Sequence, residues 1–424
     1  MDYRGSLDYL YGLQRFGIKL GLDNIRALLE DLGNPQRDFP VVHVGGTNGK
    51  GSVSAALAAI LRQGGYRVGL YTSPHLLSFT ERIRIDAETI SESDVASLTD
   101  ELRSLVRPIP ATFFEFTTAL ALCYFQRRKV DIAILEVGMG GRLDATNVVE
   151  PCLTVLTPVS IDHAEHLGKD LPKIAAEKAG IIKSGVPVVS ARQPREALDV
   201  IRNRSGRVNA PLDVCGEAFR AEASDVGFNF IGFGKNITDL QTSLIGAHQF
   251  DNMALAVAAA QILAARGFEC TDGALRQGLR QVDWPGRLEW WQGSRTVLLD
   301  GAHNIASMQA LAAYLETLEL PVRLRWVVGF KGDKDYRALL AEILPFAKKV
   351  YVCEPPSETA VERSEIVTCV TASGSSAQGF ASVEDALKEA LREKRTGEIV
   401  LVAGSLFLVA AARKWLLALK GASV

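Results

Sequence analysis

The segment Val42-His43-Val44-Gly45-Gly46-Thr47-Asn48-Gly49-Lys50-Gly51-Ser52 narrows most sharply what this chain can fold into. A short apolar run leads into a turn holding four glycines, and Ser52 to Gln63 (SVSAALAAILRQ) then supplies good helix formers before Gly64-Gly65 closes them off. Strand, glycine turn and helix in that order are the setting of a phosphate-binding loop. The glycines let successive N–H groups face inward, the helix N-terminus adds positive potential, and Lys50 brings a point charge to the outer phosphates. Ser52 can offer its hydroxyl to magnesium. Val44 replaces the first glycine of the generic pattern, and Gly51 is inserted between lysine and hydroxyl. A tight turn alone needs the glycines; lysine, hydroxyl and helix together point to nucleotide.

Short β-branched runs alternate with longer helical patterns over the whole chain, so the fold class is α/β with a mainly parallel sheet. Buried strands are predicted at Pro40–Val44, Arg67–Tyr71, Val130–Val137, Cys152–Val159 and Val186–Ser190. Ala221–Ile245 is expected to add antiparallel pieces to this first domain, followed by a helix over Gln249–Arg266. Asp283-Trp-Pro-Gly-Arg287 breaks the pattern. Strands then resume at Thr296–Asp300, Leu324–Phe330, Val350–Glu354 and Glu398–Ala403. A length of 424 residues fits two domains, here 1–284, a phosphate-loop ATP-binding domain, and 285–424, a smaller Rossmann-like domain.

Lys and Arg (47) nearly balance Asp and Glu (49), which removes a global basic field and with it nucleic acid as a partner. The first residues lack the apolar core of a signal peptide, and the longest apolar stretch, Ala254 to Ala265, is broken at Gln261, so a cytoplasmic protein without membrane contact is expected. The six cysteines form no CxxC pair and read as free thiols.

Glu136 ends the apolar run from Ile132 to Leu135, at the carboxyl edge where open α/β sheets bind ligands. Gly138, Gly140 and Gly141 then permit close backbone approach. His163, beside Asp162 and near His166, lies just past the next strand. Read without further context, Glu136 is either a metal or phosphate ligand or a solvated carboxylate, and the His-Asp cluster is either a site or a surface loop.

The loop Gly46-Thr-Asn-Gly-Lys-Gly-Ser52 resembles that of the folylpolyglutamate synthase/dihydrofolate synthase family within the Mur ligase superfamily. The resemblance extends through Tyr71-Thr-Ser-Pro-His-Leu76, Leu135-Glu-Val-Gly-Met-Gly-Gly-Arg-Leu-Asp-Ala-Thr-Asn147, Ile161-Asp-His163, Glu177-Lys-Ala-Gly-Ile181, Pro285-Gly-Arg287 and Asp300-Gly-Ala-His-Asn304. It implies an ATP-dependent acid–amino-acid ligase, in which an acceptor carboxylate attacks the γ-phosphate and the resulting acyl phosphate is attacked by the amine of L-glutamate.

The same resemblance implies roles for individual residues. ATP would be held by Thr47, Asn48, Gly49, Lys50, Gly51, Ser52, Asn252, Arg287 and Asp300. Magnesium would be held by Ser73, Glu136 and His163, with Ser52. Lys178 would be carbamylated, turning a cation into an oxygen donor near the metal. His303 and Ser405 would handle glutamate, and Lys50, Lys178, Arg287 and His303 form the expected catalytic set. A further segment, Lys331-Gly-Asp-Lys-Asp335, resembles a nucleotide-facing motif or is a charged turn.

Leu20-Gly21-Leu22, Phe114-Glu115-Phe116 and Leu143-Asp144-Ala145 align with acceptor-binding segments of the bifunctional members, so dihydropteroate and a reduced folate are both expected acceptors; the aromatic positions read equally well as core. A folylpolyglutamate synthase acting on reduced folate alone is the alternative. A cell-wall peptide ligase fits less well, because only about 40 residues precede the loop, too few for the extra domain those enzymes carry. A nucleotide switch without ligase activity would not need the second α/β domain. The protein is expected to act as a monomer.

Overall fold

The computed structural model describes residues 1–17, 21–105, 111–291, 296–318, 323–357 and 359–421. They divide into two units, the first made of Met1–Ser160, Leu167–Ser243 and Gln249–Asp283, the second of Trp284–Val424 with Ile161–His166 and Leu244–His248.

In the first unit the apolar runs become β1 (Val41–Gly45), β2 (Val68–Tyr71), β3 (Ile83–Ile85), β4 (Glu88–Thr89), β5 (Ile132–Glu136), β6 (Leu153–Leu156), β7 (Val188–Ser190) and β8 (Leu212–Val214). They form one sheet in the order β4-β3-β2-β5-β1-β6-β7-β8. Pairing is parallel from β2 across to β8, and only the β2–β3 and β3–β4 pairs are antiparallel. β1 and β5 are buried throughout, as a strand covered on both faces requires. β1 lies between β5 and β6, with Val44 opposite Glu136 and Gly45 opposite Leu156.

Helices α1 (Tyr3–Gly12), α2 (Asp23–Asp31), α3 (Lys50–Gln63), α4 (Glu92–Ser104), α5 (Phe113–Arg127), α7 (Leu171–Ala179), α8 (Arg195–Arg207), α9 (Ala247–Ala264) and α10 (Asp272–Arg280) accompany the strands, while the short α6 (Ala164–Leu167) falls largely in the stretch grouped with the second unit. Gly278 lets α10 lie directly on α3, since a Cβ there would stand 2.6 Å from the Cα of Ile60. β9 (Phe219–Ser224), β10 (Gly227–Gly232) and β11 (Lys235–Leu240) form the separate antiparallel sheet.

Two boundaries differ from the sequence reading for identifiable reasons. α3 starts at Lys50 rather than Ser52, because Gly49 at φ 84° makes the N-cap turn. β6 stops at Leu156, short of Val159, because the carbonyl of Pro158 turns away from the sheet to serve the loop after β1.

The second unit carries a six-stranded sheet, β12 (Glu289–Trp290), β13 (Val297–Asp300), β14 (Arg323–Val328), β15 (Ala347–Val352), β16 (Ala377–Gly379) and β17 (Glu398–Ala403), in the order β12-β13-β17-β14-β15-β16. All pairs are parallel except β12 with β13. Its helices are α11 (Ile305–Glu316), α12 (Tyr336–Ile343), α13 (Arg363–Ala372), α14 (Val383–Glu393) and α15 (Leu406–Gly421). Trp326, Phe330, Leu401 and Met308 fill the core. Arg325, near the start of β14, pairs with Glu398 at 2.7 Å and Glu393 at 2.9 Å. Among the described residues no helix is long and apolar enough to cross a membrane.

Candidate active site

The loop after β1 is held by its neighbours more than by itself. The N–H groups of Thr47 and Asn48 both donate to the carbonyl of Pro158, at 2.9 and 3.4 Å. The Thr47 hydroxyl donates to the carbonyl of Ser160 at 3.0 Å and accepts from the Ser160 N–H at 3.0 Å. Thr47 and Asn48 therefore brace the loop rather than turn their N–H groups inward. The first-turn N–H groups of α3, which by helix geometry have no intrahelical acceptor, remain to meet an anion. They belong to Lys50, Gly51 and Ser52, behind Gly49. Lys50 Nζ rests on the carbonyl of Thr47 at 3.0 Å.

Gly46 and Gly49 are required by space. A Cβ at Gly46, where φ is 134°, would stand 2.0 Å from Thr157 Oγ1, and one at Gly49 would stand 2.5 Å from Asn252 Oδ1. Asn252 thus abuts the loop, its amide donating to Gln249 Oε1 at 2.9 Å. Lys178 is buried near the end of α7 and donates to the Gly46 carbonyl at 2.7 Å, which places it against the phosphate loop.

Beside β1, the carboxylate of Glu136 accepts from the Ser73 N–H at 3.1 Å. Glu136 is 4% exposed and Ser52 2%. Carboxylate and serine hydroxyl are hard oxygen donors that suit a divalent cation such as magnesium or manganese and not a soft metal. Among the described residues no three His, Cys, Asp or Glu side chains gather as a metal cage, so water and phosphate oxygens would have to complete any shell. His163, at φ 50°, belongs to the stretch 161–166 that packs with the second unit.

Asp144 is buried, and its carboxylate accepts from the N–H of Met139 at 2.9 Å and from the N–H and hydroxyl of Thr146 at 3.0 and 2.6 Å. Burial pushes its carboxyl up while these bonds pull it down, and burial prevails. Thr146 in turn meets His43 Nε2 at 2.8 Å. Burial, with the Lys183 charge beyond, holds His43 at about 3, so its imidazole is neutral.

In the second unit, Asp162 is the hub. Its carboxylate accepts from Asn304 Nδ2 at 2.9 Å, pairs with Lys334 and lies 3.5 Å from His303 Nε2. Burial opposes its charge, but the hydrogen bond and charge of His303, with His163 and Lys334, hold the carboxyl far below the usual range. His303 Nδ1 also meets the carbonyl of Gly301 at 2.8 Å. Asp300 accepts from the N–H groups of Leu288 and Ala302, at 2.8 and 2.9 Å, and so ties the turn of Arg287 to the loop after β13. A Cβ on Gly301 would stand 2.1 Å from Arg287 Nη1, so the arginine lies across that glycine.

The Mur ligase middle domain matches residues 44–260 and the Mur ligase glutamate ligase domain residues 286–406. The dihydrofolate synthase/folylpolyglutamate synthase of Bacillus subtilis is 37% identical over 425 residues, 97% of this chain and 98% of that protein. The chain belongs to the dihydrofolate synthase/folylpolyglutamate synthase family of Mur ligases. It is an ATP-dependent ligase of that family. The Escherichia coli FolC structure in complex with DHPP and ADP superposes at a TM-score of 0.91 with 32% identity, covering 99% of each chain. The bifunctional folylpolyglutamate synthase/dihydrofolate synthase of Yersinia pestis, complexed with AMPPNP and a Mn ion, gives 0.88 with 32% identity over 98% of each chain.

Several residues expected on the acceptor side of this family have structural tasks. Glu115 is the N3 residue of a capping box with Thr112, its carboxylate accepting from the Thr112 N–H at 2.7 Å. Phe116 is fully buried and packs edge-on against Tyr9. Both side chains support α5. Phe114, half-buried, lies against Gly138 and near Tyr71. Leu22 is in the core and Ala145 is buried, while Leu143 keeps partial exposure; Gly21 precedes α2, and Leu20 lies outside the described residues. Ser405, buried, accepts from the Phe407 N–H at 3.3 Å and so caps α15. Asn304 and Lys334 were not singled out as site residues from sequence, although the charged turn Lys331–Asp335 right after β14 was the signal for Lys334.

Proposed function

We propose that this ligase joins L-glutamate to a folate-type acceptor and takes both dihydropteroate and a reduced folate. The observation that carries the reading is the convergence at one sheet edge of the first unit: the loop after β1, Ser73 and Glu136 after β2 and β5, and Asp144 in the loop beyond, in a chain related over its full length to a bifunctional enzyme.

Free carboxylate is a poor electrophile, so the chain must first deliver it to phosphate and then to an amine. Lys50 and the α3 N-terminus would hold the phosphates where negative charge spreads during transfer. Magnesium, held by Ser52, Ser73 and Glu136 with His163, would supply charge neutralisation on the phosphate oxygens when bound. Lys178 carrying a carbamate would keep one N–H for the Gly46 carbonyl while adding an anionic oxygen beside the loop. Arg287 and Asp300 would serve the nucleotide, and His303, oriented by Gly301 and Asp162, the incoming glutamate. The domain division at 284/285, a monomer and a cytosolic setting belong to the same proposal.

Phosphate release measured with dihydropteroate and with tetrahydrofolate as sole acceptors tests it. Release that requires glutamate and occurs with either acceptor is expected. Release with tetrahydrofolate only makes the enzyme a folylpolyglutamate synthase alone, and release indifferent to acceptor and glutamate overturns the ligase assignment.

A further inference from the structure

Arg82 closes a short turn, Phe79–Arg82, at the entrance to β3, and only 7% of it is exposed. Its Nε donates to Nδ1 of His75 at 2.8 Å. Its guanidinium carbon lies 5.2 Å from the centre of the Phe113 ring. Among the described residues no hydrogen bond or ion pair engages its two Nη atoms.

The acids around it have other commitments. Glu81 accepts from the N–H groups of Leu76, Leu77 and Ser78, and Glu136 accepts from Ser73. His75 takes up only the Nε end of the fork, its Nδ1 accepting from Arg82. Burial works against the Arg82 charge, only partly offset by Tyr71, Tyr11, Glu136 and Glu81. A buried guanidinium fork with two free nitrogens is an unfinished arrangement, completed most naturally by a planar anion that accepts two parallel bonds.

Its place in the fold says which anion. The Arg82 carbonyl accepts from the Thr72 N–H at 2.9 Å, and Tyr71 pairs with Ile83, so Arg82 is the cross-strand neighbour of the Thr72-Ser73 step that meets Glu136. Aromatic rings surround it: Phe79 on Phe113 at 6.3 Å and Tyr71 with Phe114 at 6.0 Å. Phosphate already has the α3 N-terminus and Lys50. A carboxylate on an aromatic ring matches both the fork and the ring shell.

We propose that Arg82 receives the reacting carboxylate of the acceptor, an aryl carboxylate of the pteroate class, with the aryl ring against Phe113. This rests on the ligase reading above. Arg82 thereby orients the carboxylate toward the nucleotide, and His75 fixes the fork by accepting from Nε.

Calorimetric titration of the full chain, without ATP, with pteroate and with the same pterin bearing a plain phenyl ring in place of the benzoate, tests the assignment. Wild type is expected to prefer pteroate. Arg82→Gln should weaken pteroate by about 10²-fold, the scale of a lost charge-assisted pair, while the phenyl analogue and magnesium–ATP stay within about twofold. Arg82→Lys, which keeps charge but not the fork, should weaken pteroate by about tenfold, and it carries the same comparison if the glutamine variant does not fold. Equal loss for both pterins, or a parallel loss of ATP affinity, makes Arg82 a scaffold residue and overturns the proposal; so does unchanged pteroate binding. Wild type that binds neither pterin overturns the acceptance of dihydropteroate on which this proposal rests.

Discussion

After β1 the chain turns on Gly46 and Gly49, and the groups it offers are backbone N–H donors and one lysine. After β13 it turns on Asp300 and Gly301, and the nearby polar groups, Asp162, His303, Asn304 and Lys334, are side chains bonded to one another. The first arrangement is defined by the space that a side chain would occupy, with no room for a Cβ 2.0 Å from Thr157. The second is defined by charge: one carboxylate satisfies three partners. A backbone cradle fails when atoms are added and is nearly indifferent to acid, whereas a side-chain hub fails when a charge is removed.

The largest effect should fall on the cradle. Lys50→Ala is expected to lower ligation at least about 10²-fold with the fold intact, read as turnover beside a circular dichroism melt; near-normal turnover would remove the phosphate-loop assignment. Gly46→Ala should cost about 3 kcal/mol in denaturant unfolding, and an unchanged midpoint would mean that Thr157 moves aside freely.

The hub should answer to charge instead. Asp162→Asn removes one of the two carboxylates that pair with Lys334, Asp333 at 3.2 Å remaining, at about 2 kcal/mol, and should raise the glutamate KM more than the ATP KM. Because the Asp162 carboxyl is held far down in the folded state, its contribution is complete above about pH 4 and is lost as pH falls further. The acid limb of the unfolding profile below pH 4 should therefore flatten in the variant, and an unaltered limb would sink the hub's electrostatic role.

A second acid window belongs to the first unit. His43 is neutral when folded, about 3 against an ordinary 6.5, so its contribution is present above pH 6.5 and declines toward pH 3. Stability should drop by about 2 kcal/mol between pH 7 and 5, less in His43→Gln; equal drops would assign the window elsewhere. The smallest change is Ser405→Ala, about 1 kcal/mol through the lost α15 cap, with the glutamate KM nearly unchanged. A KM rise of tenfold or more would return Ser405 to the glutamate site.

The strands and the cradle were legible because their signals are local: a two-residue or 3.6-residue period, and glycines within a few positions of Lys50. The hub was not, since Asp162 and Asn304 are separated by 142 residues and Asp162 and Lys334 by 172. No short window contains either pair. Glu115 carried two signals at once: Thr112-Phe-Phe-Glu115 is a capping-box pattern, and that local meaning was available alongside the aromatic neighbours that suggested a ligand. Arg82 has no pattern at all. A buried arginine becomes notable only once its neighbours' hydrogen bonds have been counted.

The strand order has an outcome for how such an enzyme can change. β1 has β5 and β2 on one flank and β6 on the other. Pro158 and Ser160 brace the phosphate loop from the β6 flank, while Ser73, Arg82 and Glu136 sit on the β2 and β5 flank. On the proposal made for Arg82, the loop before β3 can be exchanged on one side of the central strand while the brace that Pro158 and Ser160 give the phosphate loop stays as it is on the other.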